Sequence, residues 1–342
     1  MKTVAIIGER QAAIIEKADP QAAGDIALVK IHVAPLCTEY KAYAAGHKSD
    51  NLGHEAAGEV VAVEKSTRVK IGDRVVAMPQ FSCGHCSLCA TGNYIHCENG
   101  RDVKAETGSA SGTATYAQLM LKPDGLLLRI PENVSYEHAS MACCGLGPTF
   151  GAMQRLRVDA FDTVLISGMG PVGLGGVING AHRGARVIAI ESQPFRANLA
   201  LELGARAVID PRDPDAVKQI LTLTGGLGAD KAIDCSGAAA AQLLLINAVR
   251  RRGDVAFVGE GGELALHISN HMLRKGLTLH GSWHWNLRYA PRLWRVIEHQ
   301  GDAIDRLVTH KFAMSQVQDA WELQMTGNCG KVLMYPHEDS LS

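Results

Sequence analysis

Four cysteines, Cys83, Cys86, Cys89 and Cys97, fall within one short stretch, C-G-H-C-S-L-C-A-T-G-N-Y-I-H-C. Gaps of two, two and seven residues place four thiolates where a single loop can wrap a tetrahedral ion. Zinc suits such a set, because it imposes no electronic geometry and binds sulfur in closed structural sites. With nine Cys in 342 residues, chance produces this spacing roughly 10⁻⁴ times per chain. A disulfide cluster is the competing reading. An odd cysteine count and the lack of an export-signal pattern speak against it and favour reduced thiols in the cytoplasm.

A second set of possible ligands is scattered. His54 and Glu55 are adjacent in Gly53-His54-Glu55-Ala56-Ala57-Gly58. Cys37 precedes them, and Cys143-Cys144 follows much later. Two thiolates and one imidazole, Cys37, His54 and Cys144, make an open zinc site with one position left for water or substrate. Cys143 is an alternative to Cys144. Each residue alone also has an ordinary reading: a single Cys packs as a small hydrophobe.

The third element is Gly168-Met169-Gly170-Pro171-Val172-Gly173, a G-x-G-x-x-G loop. Thirty-six glycines make the bare pattern weak evidence, but it follows an apolar strand and opens a helix. In that setting Gly168 makes the turn, Gly170 admits a pyrophosphate to the backbone and Gly173 allows close helix packing. Glu191 ends the next strand, where its carboxylate can read the adenosine ribose of NAD. Arg196 follows it as a nearby cation.

These residues need a scaffold, and the pattern of the chain predicts one. Runs such as Ile26–Val33 and Gly58–Val63 read as strands of a small barrel, with Val69–Val75 pairing as a hairpin. After about residue 150 strands alternate with helices, which predicts a parallel sheet covered on both faces. The expected fold is α/β: a barrel-like catalytic domain at 1–145 carrying the 83–97 lobe, a doubly wound domain at 146–284, and a return to the first domain at 285–342. Hydrophobic residues make up 46%, charged residues 20%, and net charge is −1. That balance disfavours nucleic-acid and membrane-surface binders. The Ala238–Val249 stretch is too short to span a bilayer.

Taken together, the four-cysteine lobe, the Gly-His-Glu motif, Val69–Val75, the glycine loop, Leu307–Phe312 and Gly330–Leu333 resemble the zinc-dependent alcohol dehydrogenases of the medium-chain dehydrogenase/reductase superfamily. The polyol and threonine dehydrogenases resemble the chain most, over nearly its whole length. The resemblance implies a GroES-like barrel plus a Rossmann domain, two Zn²⁺ per chain, NAD, a small alcohol or polyol substrate and a homo-oligomer (dimer or tetramer). Cys37, His54 and Cys144 become the catalytic ligands, and Glu55 a neighbour that tunes or transiently binds the ion.

One segment departs from the family pattern of Cys, any residue, Ser/Thr, Asp, any residue, His. Here the chain reads Cys37-Thr38-Glu39-Tyr40-Lys41. With one residue deleted after Cys37, Thr38 takes the hydroxyl position of a proton relay, Glu39 the acidic position and Lys41 the solvent end. Without the deletion, Glu39 stands where the hydroxyl belongs. Trp283, His284 and Trp285 either line the active site or pack at a seam. Carbonyl reduction, a lyase or epimerase with tightly bound NAD, and a nucleic-acid-binding zinc ribbon are the rival functions.

Overall fold

A computed structural model describes residues 1–337. In chain order its strands are β1 Lys2–Gly8, β2 Gln11–Glu16, β3 Ile26–Pro35, β4 Ala56–Ala62, β5 Arg74–Ala77, β6 Leu119–Pro123, β7 Leu127–Arg129, β8 Thr163–Ser167, β9 Arg186–Ile190, β10 Ala207–Ile209, β11 Ala229–Asp234, β12 Val249–Phe257, β13 Thr278–Gly281, β14 Val308–Ala313 and β15 Lys331–Tyr335. They divide between two compact units. One comprises Met1–Cys143, Asn286–Gly301 and the chain from Val308 onward; the other comprises Cys144–Trp285 and Asp302–Leu307.

The first unit is built on a mixed sheet of order β14-β15-β3-β4-β5-β7, with β6 added to β3. Along β3, Val29, Ile31 and Val33 are buried while Lys30 is exposed, the period-two alternation of a strand with one face on a core. Gly58 lets β4 lie close to β3, since a Cβ there would meet the Lys30 carbonyl at 2.1 Å. The core gathers Val60, Val75, Tyr116 and Trp321. Trp321 comes from the helix Val317–Thr326, and its ring lies 4.9 Å from that of Tyr43.

The expected hairpin forms, but its second strand begins only at Arg74. Val69 to Asp73 turns instead. Gly72 has φ +88°, which favours glycine, and Asp73 Oδ2 accepts from the Lys70 amide at 2.9 Å.

The second unit carries six parallel strands in the order β10-β9-β8-β11-β12-β13. Numbered from β8, this is the doubly wound order 3-2-1-4-5-6, in which the strand order reverses between β8 and β11. Strands covered on both faces read as continuous apolar runs, and Val164, Leu165 and Ile166 are all fully buried. The apolar stretch near residue 240 is the helix Ala239–Ala248, packed on this sheet through Leu245 and Ile246. Among the described residues no helix is long and apolar enough to cross a membrane.

Candidate active site and metal centres

Cys37 follows the end of β3, where its amide donates to the Tyr116 hydroxyl at 3.1 Å. His54 and Glu55 lead into β4. The turn before them needs glycine: Gly53 has φ +85°, and a Cβ would meet Thr115 Oγ1 and the Tyr116 ring at 2.4 Å. Ligand atoms of Cys37, His54 and Glu55 all lie within 4.8 Å of one another.

Glu39 opens the helix Glu39–Ala45 and grips this cluster from outside. Its Oε1 lies 2.9 Å from His54 Nδ1, and its Oε2 accepts from Tyr116 at 2.8 Å. Burial works against the Glu39 charge, but the bonds from His54 and Tyr116 prevail and hold its carboxyl below the usual range. An ionised carboxylate only accepts, so His54 Nδ1 carries the proton and Nε2 is the nitrogen that would meet a metal.

Behind the imidazole, Glu55 Oε1 accepts from Lys331 Nζ at 2.8 Å, and both side chains are shut off from solvent (1% and 0% exposed). Burial pushes Glu55 up to about 7 despite the opposing charge of Lys331. Burial alone would depress His54, yet bonds to Cys37 and Glu39 and the charge of Glu55 lift it to about 11. Tyr116 is raised well above its ordinary value by burial and by the charges of Glu39 and Cys37. These neighbours favour a proton on His54. A divalent cation would take that proton's place and favour thiolate and neutral imidazole. Two donors of the Cys/His type beside a restrained carboxylate fit zinc.

Of the paired cysteines, Cys143 is fully buried, and its thiol donates to the Ala77 carbonyl at 3.4 Å. Burial, then the charge of Glu55, raise it far above its usual value. Cys144 is the first residue of the second unit. Thr38 is exposed just before the helix and makes no capping bond, and Lys41 is exposed one turn on.

In the lobe, neighbouring sulfurs of Cys83, Cys86, Cys89 and Cys97 stand 3.5, 3.6, 3.8 and 3.9 Å apart. A sulfur tetrahedron with metal–sulfur bonds of about 2.3 Å has edges of about 3.8 Å. The spacing therefore fits zinc and is far too long for disulfides. Amides of Cys83, Cys86 and Asn99 point at sulfurs at 3.4 Å. Backbone N–H groups of His85 and Cys86 pull Cys83 down to about 6, whereas burial pushes Cys89 up to about 12. The Asn286 side chain ties the lobe down by donating to the Thr91 carbonyl and Asn93 Oδ1, each at 2.8 Å. An open groove of ≈1090 Å³ borders this lobe, lined by Lys65, Arg68, Arg101 and Arg288 among others, and not the Cys37–His54–Glu55 cluster.

The glycine loop runs from the end of β8 into a helix. Gly168 has φ +80°, and a Cβ on Gly173 would strike the Gly168 carbonyl at 2.0 Å. A Cβ on Gly170 would meet nothing within 4 Å, so the loop presents open backbone at the start of the helix Pro171–His182. Pro171 fills the first helical turn and Val172 continues it. Glu191 reaches back to this loop: Oε2 accepts from the Met169 amide at 2.8 Å, and Oε1 from Ser192 and Gln193 at 2.7 and 2.9 Å. The Arg196 amide is capped by Gln193 Oε1 at 2.8 Å.

Two partners escaped sequence reasoning. Glu39 reads only as part of the relay segment, and Lys331 only as part of a family motif. A signal for Lys331 existed, since it is the single charge in the run Lys331-Val332-Leu333-Met334-Tyr335, all of it buried.

Residues 23–132 match the alcohol dehydrogenase GroES-like domain family, and residues 171–298 match the zinc-binding dehydrogenase family. Sorbitol dehydrogenase of Bacillus subtilis is 31% identical over 98% of each chain. L-threonine 3-dehydrogenase of Caldanaerobacter subterraneus is 30% identical over 94% of this chain and 95% of its own. The solved alcohol dehydrogenase TADH from Thermus sp. ATN1 superposes with a TM-score of 0.88 at 25% identity, covering 98% of this chain and 100% of its own. The four-sulfur lobe, the Cys-His-Glu cluster and the glycine loop thus stand in a chain that belongs to the zinc-dependent alcohol dehydrogenases of the medium-chain dehydrogenase/reductase superfamily.

Proposed function

We propose that this enzyme oxidises a small secondary alcohol or polyol to the ketone or aldehyde, with NAD as hydride acceptor and Cys37, His54 and Cys144 as the ligands of the catalytic zinc. The observation that carries the reading is the cluster of Cys37, His54 and Glu55, with His54 aimed by Glu39. The resemblance to sorbitol dehydrogenase supports the substrate class. Bound zinc supplies the acidity that makes a substrate hydroxyl give up its proton near neutral pH, and bound NAD supplies the electron sink.

The chain's own residues do the rest. Glu39 fixes the His54 ring and its tautomer. Lys331 restrains Glu55 by donating to its Oε1, so that the carboxylate stays in reserve as a neighbour rather than a standing ligand. Thr38 accepts the substrate's proton and passes it towards solvent, with Lys41 at the exposed end. The Gly168–Gly173 backbone receives the cofactor's pyrophosphate, and Glu191, flanked by Arg196, receives the ribose. A cytoplasmic homo-oligomer goes with this reading.

A panel of alcohols and polyols, read by NADH absorbance and product analysis, tests it. NADH should form one for one with ketone or aldehyde. Turnover of any of these substrates without net NADH would instead point to a lyase or epimerase. For the relay, Thr38→Val should slow turnover roughly 10²–10⁴-fold at unchanged zinc content. A near-normal rate there beside a collapsed rate in Glu39→Gln, both with full zinc, would assign the relay to Glu39.

A further inference from the structure

Cys144 has a close neighbour within its own unit. His284 Nε2 lies 3.6 Å from Cys144 Sγ, with both residues buried, 6% and 7% exposed. His284 does not arrive there by default. Its backbone has φ 53°, in the left-handed region, which costs about 1 kcal/mol or more for a residue with a Cβ. Three contacts hold it in that conformation. The Ser282 amide donates to the Phe257 carbonyl at 3.0 Å, fixing the exit from β13. The Trp285 ring meets Phe150 edge-on at 6.1 Å. The His284 carbonyl lies where Gly151 leaves room: a Cβ at 151 would sit 2.1 Å from that oxygen. The helix Gly147–Leu156, whose N-terminal approach carries Cys144, therefore packs directly on the His284 backbone.

We propose that His284 donates a hydrogen bond from Nε2 to the Cys144 thiolate, orienting that sulfur and moderating its electron donation to the metal. The inference rests on the reading of Cys144 as a ligand. A ligating thiolate has no proton to give, so the hydrogen in this contact must come from the ring. An N–H aimed at a metal-bound sulfur withdraws density from it, leaving the metal the stronger Lewis acid. His284 is then a positioning residue, distinct from the ligands and the relay.

Cobalt(II) exchanged into the labile site, without cofactor or substrate, gives the direct readout. Its sulfur-to-cobalt charge-transfer band reports the energy of the sulfur lone pair. His284→Phe keeps a ring and removes the donor. His284→Gly removes the donor and relieves the left-handed strain, so it stays foldable. Both should move the band to longer wavelength at full cobalt content, while His284→Gln, which keeps an N–H, should stay near wild type. An unmoved band in Phe and Gly variants, in protein where Cys144→Ser does change it, would overturn the hydrogen bond. A shift in Phe but not Gly would overturn it too, because ring bulk would then be the cause. A band indifferent to Cys144→Ser would remove Cys144 from the ligand set and the inference with it.

Discussion

The four-cysteine lobe draws every ligand from one loop, whereas the second cluster takes Cys37 from a strand end and His54 and Glu55 from the entry to another. It then leans on Lys331, 276 positions from Glu55. Their surroundings differ as well. The lobe's thiols are half-exposed and steadied by backbone amides. Glu55 and Lys331 are sealed in the core, and Glu39 holds His54 by side-chain bonds. A closed set of four thiolates satisfies an ion completely and serves folding; an incomplete set held by outer partners leaves room for chemistry. One motif buys local stability, and the other depends on the whole unit being folded.

Removing ligands should separate the two most sharply. Cys37→Ala or His54→Ala should leave one zinc per chain and lower turnover by roughly 10⁴-fold or more, with the fold retained. Cys83→Ser should do the reverse, lowering Tm by about 10 °C while the protein still folded turns over within about threefold of normal. Metal analysis beside calorimetry checks both. Equal loss of activity and stability in the two sets would erase the distinction.

Lys331→Met should cost about 1–3 kcal/mol in urea unfolding, because it leaves the buried Glu55 carboxyl, protonated near neutral pH, without its partner. Lys331→Met with Glu55→Gln should recover much of that. Additive losses in the double variant would mean that the pair is not coupled.

A pH-dependent contrast lies at Lys122, which packs against the chain just ahead of the lobe. Lys122 is 2% exposed, donates to the Gln80 carbonyl at 2.9 Å and stands 3.9 Å from the Phe81 ring centroid. Burial draws it down from 10.5 to about 7. Between those values the unfolded chain holds more protons than the folded one, so stability rises with pH across that window and is least below it. The carbonyl and the ring favour the charged form and blunt the effect. Lys122→Met should flatten the slope by on the order of 2 kcal/mol, read from unfolding at pH 6 to 10. An unchanged slope would show that Lys122 keeps its proton throughout.

Cofactor choice should show the smallest effect. A 2′-phosphate about 4 Å from Glu191 at an effective dielectric of about 20 meets roughly 4 kcal/mol of repulsion. Arg196 and the three amides on the carboxylate reduce it, leaving NAD preferred over NADP by roughly 10–100-fold. Glu191→Ser should relax that preference in paired kcat/KM measurements; equal efficiency in the wild type would refute it.

The same contrast explains what could be read without a structure. The lobe was legible because its ligands share one loop and spacing translates into geometry. Likewise, the glycine loop lies in one strand–turn–helix, and the parallel sheet announces itself in apolar runs split by helices. Glu39's grip on His54 was not legible, since it depends on how a short helix is set against the Tyr116 strand approach. Lys331 faces Glu55 only because β15 joins β3, a pairing between distant parts of the chain. The start of β5 slipped to Arg74 because Gly72 and Asp73 preferred a turn over extension.

Timed chelation tests the central claim most directly. Zinc content, turnover and far-ultraviolet circular dichroism would be followed together as a mild chelator acts. Two zinc ions per chain should be present at the start, and one should leave first, taking activity with it while secondary structure persists. A folded, active chain with a single zinc, or both ions leaving together with the fold, would contradict the account.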